Sequence, residues 1–178
     1  MDEKSTGAAP AGYTSVAPWV VTDDTGAFLD FVAEAFGGEE LGRVPTEDGR
    51  IGHGEIRVGD TVVLAFDRNE DWPPLPSLLR VFVPDADEAC ARALAAGGVL
   101  VTPMDDNAFG QRGCRVKDPF GNIWWVTAHM EDVTEAEVWR RLGEPSYAAC
   151  MREAQETLDA ELSGRAAGRS SAPVRTGG

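Results

Sequence analysis

DPFGNIWWVTAH (residues 118–129) sets two adjacent tryptophans inside a strand-like run. Successive strand residues point to opposite faces, so Trp124 and Trp125 look in opposite directions. One of them fills a core, and the other needs a different neighbour. The run starts from Gly121-Asn122, a pair with the chemistry of a tight hairpin. The same order occurs earlier, where Gly59-Asp60 precedes TVVLAF as Gly121-Asn122 precedes IWWVTA, 62 residues apart.

Further upstream the correspondence continues. DDTGAFLDFVAEAFGG opens on an acidic cap, carries Phe28, Phe31, Val32, Ala35 and Phe36 at helical spacing, and ends in Gly37-Gly38. DADEACARALAAGG does the same with Ala86, Ala89, Cys90, Ala93 and Leu94, and ends in Gly97-Gly98. A strand-like run, SVAPWVV or LLRVFV, precedes each helix. The reading is an α+β fold of two βαβββ modules, residues 13–72 and 73–133. The two together form a curved open barrel with helices outside and a hollow inside. Residues 134–163 add C-terminal helices: Thr134 and Glu137 form a capping box, and Tyr147, Met151, Ala154, Leu158 and Leu162 fall on one stripe. Those helices either cover the domain or meet a second subunit. Residues 1–12 and 164–178 read as disordered ends.

The formal net charge of −14 argues against nucleic acid or an anionic membrane surface as the main partner, and is compatible with a cationic ligand. Three widely spaced cysteines form no zinc-finger pattern and read as free thiols in a reducing compartment. The N-terminus carries acids and no apolar core of a signal peptide, and no apolar run is long enough to span a bilayer. The expected location is the cytoplasm.

The duplicated modules, with DPFGN leading into the last strand, resemble the vicinal oxygen chelate superfamily of glyoxalases, extradiol dioxygenases and fosfomycin and bleomycin resistance proteins. APWVVTDD, GHGEIRVGDTVVLAFD and FGQRGCRVKDPFGNIWWVTAHMEDVT look most like the glyoxalase/bleomycin-resistance proteins of the PhnB-like branch. The resemblance implies metal-ligand positions on or beside Val16, Val63, Leu78 and Trp125. None is a metal ligand, and neither are the neighbours Ala17, Pro18, Ser77 and Leu79. No metal and no other cofactor is therefore expected. Trp125 then faces the hollow, as a flat wall for a planar or cationic ligand, while Trp124 belongs to the core. The alternative is that Trp125 plugs the hollow.

Other residues expected on the hollow follow from alternation: Thr61, Val63, Ala65 and Asp67 on the fourth strand, with Val62, Leu64 and Phe66 on the helices, and Thr127 and His129 beside Trp125. Arg80 inside the hollow would need a carboxylate or a ligand anion; outside, it is a solvated side chain. His53 and Glu55 share a strand face, as half a metal site, as acid–base groups or as a structural pair. Trp72 in the inter-module loop is a candidate lid or a linker anchor, and Phe109 a second aromatic wall. Trp19 and Trp139 read as packing residues. The function expected is non-catalytic sequestration of a small, antibiotic-type molecule by a homodimer, the pairing being implied by the resemblance. The alternative is a metal-dependent glyoxalase- or dioxygenase-like enzyme drawing ligands from His53, Glu55, Asp67 and His129. A third reading is a metal-free accessory protein that meets a partner through the C-terminal helices.

Overall fold

A computed structural model describes residues 9–165; the expectations for residues 1–8 and 166–178 lie outside the described residues. The chain forms β1 (Trp19–Thr22), α1 (Thr25–Phe36), β2 (Glu39–Pro45), β3 (Ile51–Val58) and β4 (Thr61–Asp67). The order repeats as β5 (Leu78–Phe82), α2 (Ala86–Ala95), β6 (Val99–Asn107), β7 (Gln111–Lys117) and β8 (Ile123–His129). Helices α3 (Glu135–Leu142) and α4 (Pro145–Leu162) follow. Each module makes one curved, unclosed four-stranded sheet, in the orders β1-β4-β3-β2 and β5-β8-β7-β6. The first pair in each is parallel and the rest are antiparallel. This is the expected α+β architecture with its C-terminal helical extension.

The duplication reaches into the packing. Asp24 and Asp85 cap α1 and α2 by accepting from Ala27 N and Glu88 N, each at 2.9 Å. A Cβ on Gly38 would lie 2.7 Å from Ile56, and one on Gly98 2.6 Å from Val116, so each helix leaves on a glycine pressed against the same point of its sheet. Helices α1 and α2 pack on each other, and one core serves both modules. Phe28 stacks on Trp124 with centroids 6.4 Å apart, and Phe36 meets the same indole at 4.8 Å. Trp124 is 2 % exposed and is the tryptophan of the pair that fills the core.

The two hairpins differ, and the difference decides which residues face where. The first is a two-residue turn, with Val58 opposite Thr61. The second takes five residues, 118–122, and closes with Lys117 opposite Ile123. Buried Asp118 organises it, accepting from Phe120 N (2.9 Å), Asn122 N (2.8 Å), Asn122 Nδ2 (2.9 Å) and Trp124 Nε1 (2.9 Å). Asn122 Oδ1 in turn accepts from Ser77 N at 2.9 Å and ties the turn to the start of β5. DPFGN is therefore a hydrogen-bonded cage rather than a tight turn.

In consequence the strands correspond 61 residues apart, Trp19–Leu64 matching Arg80–Trp125, although the turn glycines stand 62 apart. A one-residue slip exchanges the two faces of a strand. Val63 and Ala65 accordingly lie in the core on the helix side. Asp67 is on that side too, accepting from Thr25 N and Ile51 N at 2.7 Å each, which pins β4 to the start of α1 and of β3. Val63 and Asp67 are thus corrected from hollow-lining to structural. Leu64 and Phe66, expected on the helices, face the open side.

Candidate ligand-binding site

Three neighbouring strands place one residue each in a row on the open face of the second sheet. Trp125 on β8 is paired with Arg80 on β5 and with Arg115 on β7. The guanidinium carbons stand 4.2 Å (Arg80) and 4.7 Å (Arg115) from the indole centroid, close enough for cation–π attraction. The second tryptophan of the opening stretch therefore looks toward two arginines. Helix α4 lies on β6 and roofs this face, so this helix covers the domain within the chain, and α3 packs against α4. Arg115 joins roof to floor, donating to Ala154 O (2.6 Å) and Thr102 Oγ1 (3.2 Å), and Lys117 pairs with Glu161 at 2.5 Å.

Trp125 does not plug the space. A cavity of about 230 Å³ on one side of it is lined by Phe109, Gly113, Arg115, Met151 and Ala154. A second of about 300 Å³ is lined by Leu78, Arg80, Arg115, Ile123 and Leu158. Trp125 and Arg115 border both, so the two adjoin along the row. Gly113 opens the floor: a Cβ there would lie 2.5 Å from Val126 O and 3.2 Å from Trp125 Nε1. Cys150 also lines the first cavity; burial and a hydrogen bond with Asp105 push its thiol up to about 11, which keeps it protonated at neutral pH and a poor nucleophile. Burial holds the pKa of Arg80 below the usual arginine value, and burial plus the charge of Arg80 does the same to Arg115; both stay cationic.

The residues singled out in the sequence do not all come together. Trp125, Arg80 and Phe109 come together at this site. Thr127 lies on the same strand but is 0 % exposed, so no ligand reaches it, and its hydroxyl has no partner among the described residues. His53, Glu55 and Trp72 belong to the open face of the first sheet. There the matching row is Trp19, Leu64 and Glu55. Tyr13 donates to Glu55 (2.5 Å), which also bonds His53 Nε2 (2.7 Å). The Tyr13 hydrogen bond, and then that of His53, hold Glu55 below the usual carboxylate range. Trp19 is 53 % exposed, not core, and meets His53 and Phe66 edge-on, while Phe66 meets Trp72. Trp139 is 68 % exposed rather than packed. His129 pairs with Asp132 at the surface.

Sequence reasoning missed Arg115, which is the direct cross-strand neighbour of Trp125; only the length of the 118–122 turn reveals that pairing. The metal positions implied by the resemblance also move. On the first and last strand of each module, where the resemblance implies ligands, the row positions are Trp19, Leu64, Arg80 and Trp125, and these supply an indole, an alkyl chain, a guanidinium and another indole. None offers a lone pair to a divalent cation. Among the described residues no group of three or more His, Cys, Asp or Glu side chains is placed to hold a metal. The donor set does not fit the superfamily's metal.

Comparison with known proteins fits this architecture. The model of the Glyoxalase/Bleomycin resistance protein/Dioxygenase superfamily matches residues 13–126. An uncharacterised protein of Mycobacterium tuberculosis is 34% identical over 139 residues, covering 70% of this chain and 79% of its own. TioX from Micromonospora sp. ML1 superposes with a TM-score of 0.56 at 26% identity, over 66% of this chain and 99% of its own. The fosfomycin resistance protein FosX from Listeria monocytogenes shares the fold, with a TM-score of 0.52 at 13% identity over 70% of this chain and 97% of its own. No helix among the described residues is long and apolar enough to cross a membrane. With its two βαβββ modules and a family match over most of both, the chain belongs to the glyoxalase/bleomycin resistance protein/dioxygenase superfamily.

Proposed function

We propose that this chain is a non-catalytic binding protein of the bleomycin-resistance, PhnB-like kind, which sequesters a planar small molecule between β8 and α4. The observation that carries the proposal is Trp125, an indole bordering two adjoining cavities at a position where metal enzymes of the superfamily need a ligand. Apolar walls with a few placed polar groups suit a small organic ligand. A cationic ligand does not suit this site, because two guanidiniums already occupy the indole and would repel a cation. The free thiols Cys90, Cys114 and Cys150 support a cytoplasmic location. Calorimetry with neutral bicyclic and tricyclic aromatics tests the proposal. Trp125→Ala is expected to weaken binding by about tenfold or more, the equivalent of one lost stacking contact. Unchanged affinity in that variant overturns it.

We also propose that the chain works as a homodimer joined through the first sheet. Its open face carries exposed Trp19 and Trp72, and among the described residues no helix covers it as α4 covers the second sheet. Sedimentation is expected to give about twice the 19.0 kDa chain mass, and the mass of a single chain at micromolar concentration would refute the pairing.

A further inference from the structure

We propose that Arg80 and Arg115 form a clamp for an anion, so that the ligand is a planar aromatic carboxylate whose ring lies along Trp125. This rests on the preceding reading of the cavity as a ligand site and names the chemical class it takes. Neither guanidinium has a carboxylate within salt-bridge distance among the described residues: Arg80 donates to the neutral Gln111 side chain, and Arg115 to a carbonyl and a hydroxyl. Elsewhere the same chain pairs its arginines with acids, as Arg43 with Asp30 and Glu40, Arg112 with Asp87 and Asp106, and Arg141 with Glu131 and Glu137. In a protein of formal net charge −14, acids are plentiful. Arg115 is half-buried and Arg80 lies exposed at the rim of the second cavity. Two like charges set on one indole with no counter-charge among the described residues therefore mark a place where the counter-charge arrives from outside.

The geometry suits a carboxylate. Both guanidiniums flank the indole and both border the second cavity, so an anionic group in that cavity meets two forked donors while its ring extends toward Phe109 in the first. The acids that line the site, Asp105 and Glu153, lie on the first cavity. They repel a second anionic group there, so the ligand carries its charge at one end.

Calorimetry with 1-naphthoate and its near-isosteric neutral amide, 1-naphthamide, tests the clamp in the wild-type chain and in Arg80→Gln. Near-ultraviolet circular dichroism checks that the variant is folded. Inorganic phosphate is titrated in parallel against the arginine Nε–H resonances. Naphthoate is expected to bind about ten- to a hundredfold more tightly than naphthamide. Arg80→Gln is expected to cut that preference to within about threefold, and added salt to weaken only the carboxylate. Equal binding of the two compounds overturns the clamp and leaves the planar pocket standing. If neither compound binds while phosphate shifts Arg80 and Arg115, the clamp stands and the planar pocket falls. If phosphate too leaves both resonances unmoved, both proposals fall.

Discussion

Asp118→Ala is expected to lower the free energy of unfolding by about 3–5 kcal/mol, since it removes several buried hydrogen bonds to a charged group, each worth about 1.5–3 kcal/mol, against the regained cost of burying the carboxylate. Asp118 and its partners Asn122 and Trp124 are 2 %, 1 % and 2 % exposed. The substitution leaves four donors without an acceptor: Phe120 N, Asn122 N, Asn122 Nδ2 and Trp124 Nε1. It also frees Asn122, whose side chain ties the turn to β5. Because Trp124 packs on Phe28 and Phe36, loss of its N–H anchor is felt in the core shared by both modules. Urea denaturation of the variant and the wild type measures the difference. A loss below about 1 kcal/mol, the value of one ordinary hydrogen bond, would mean the cage does not organise the turn.

Gly113→Ala is expected to cost about 2–4 kcal/mol and to abolish ligand binding, although it adds a single methyl group. The new Cβ would stand 2.5 Å from Val126 O, a backbone atom of the paired strand, so no side-chain rotation relieves it. The β7–β8 ladder has to shift, and that ladder sets Arg115 against Trp125. The same Cβ crowds Trp125 Nε1 and the unpartnered Thr127 hydroxyl at 3.2 and 3.3 Å. Gly42→Ala is the control: its Cβ meets nothing within 4 Å, and the change is expected to stay within about 0.5 kcal/mol. Thermal unfolding together with probe binding separates the two variants. A Gly113→Ala chain that is as stable as Gly42→Ala and still binds would refute the tight floor.

The duplication was legible because it is written in spacing: capped helices, paired glycines and strand-like runs recur in order. The same glycines misled the assignment of faces in the first module. Gly59 and Gly121 look equivalent, yet one closes a two-residue turn and the other sits inside a five-residue cage, so aligning the modules on these glycines is off by one residue and puts Val63 and Asp67 on the wrong face. In the second module alternation placed Trp124 and Trp125 correctly, since both lie in one strand with no turn between them. Arg115 was invisible because its partnership with Trp125 is a cross-strand register, which depends on the turn length. The roofing role of α4 was equally hidden: an apolar stripe shows that a helix packs, and only the tertiary structure says on what.

The most direct test of the account follows the indole Nε1–H resonances of the five tryptophans during titration with 1-naphthoate, assigned by single Trp→Phe variants. The Trp125 signal is expected to move with saturation, while that of Trp124, bonded to Asp118 in the core, stays fixed. A titration in which the compound binds and Trp125 does not respond would contradict the placement of the ligand beside that ring.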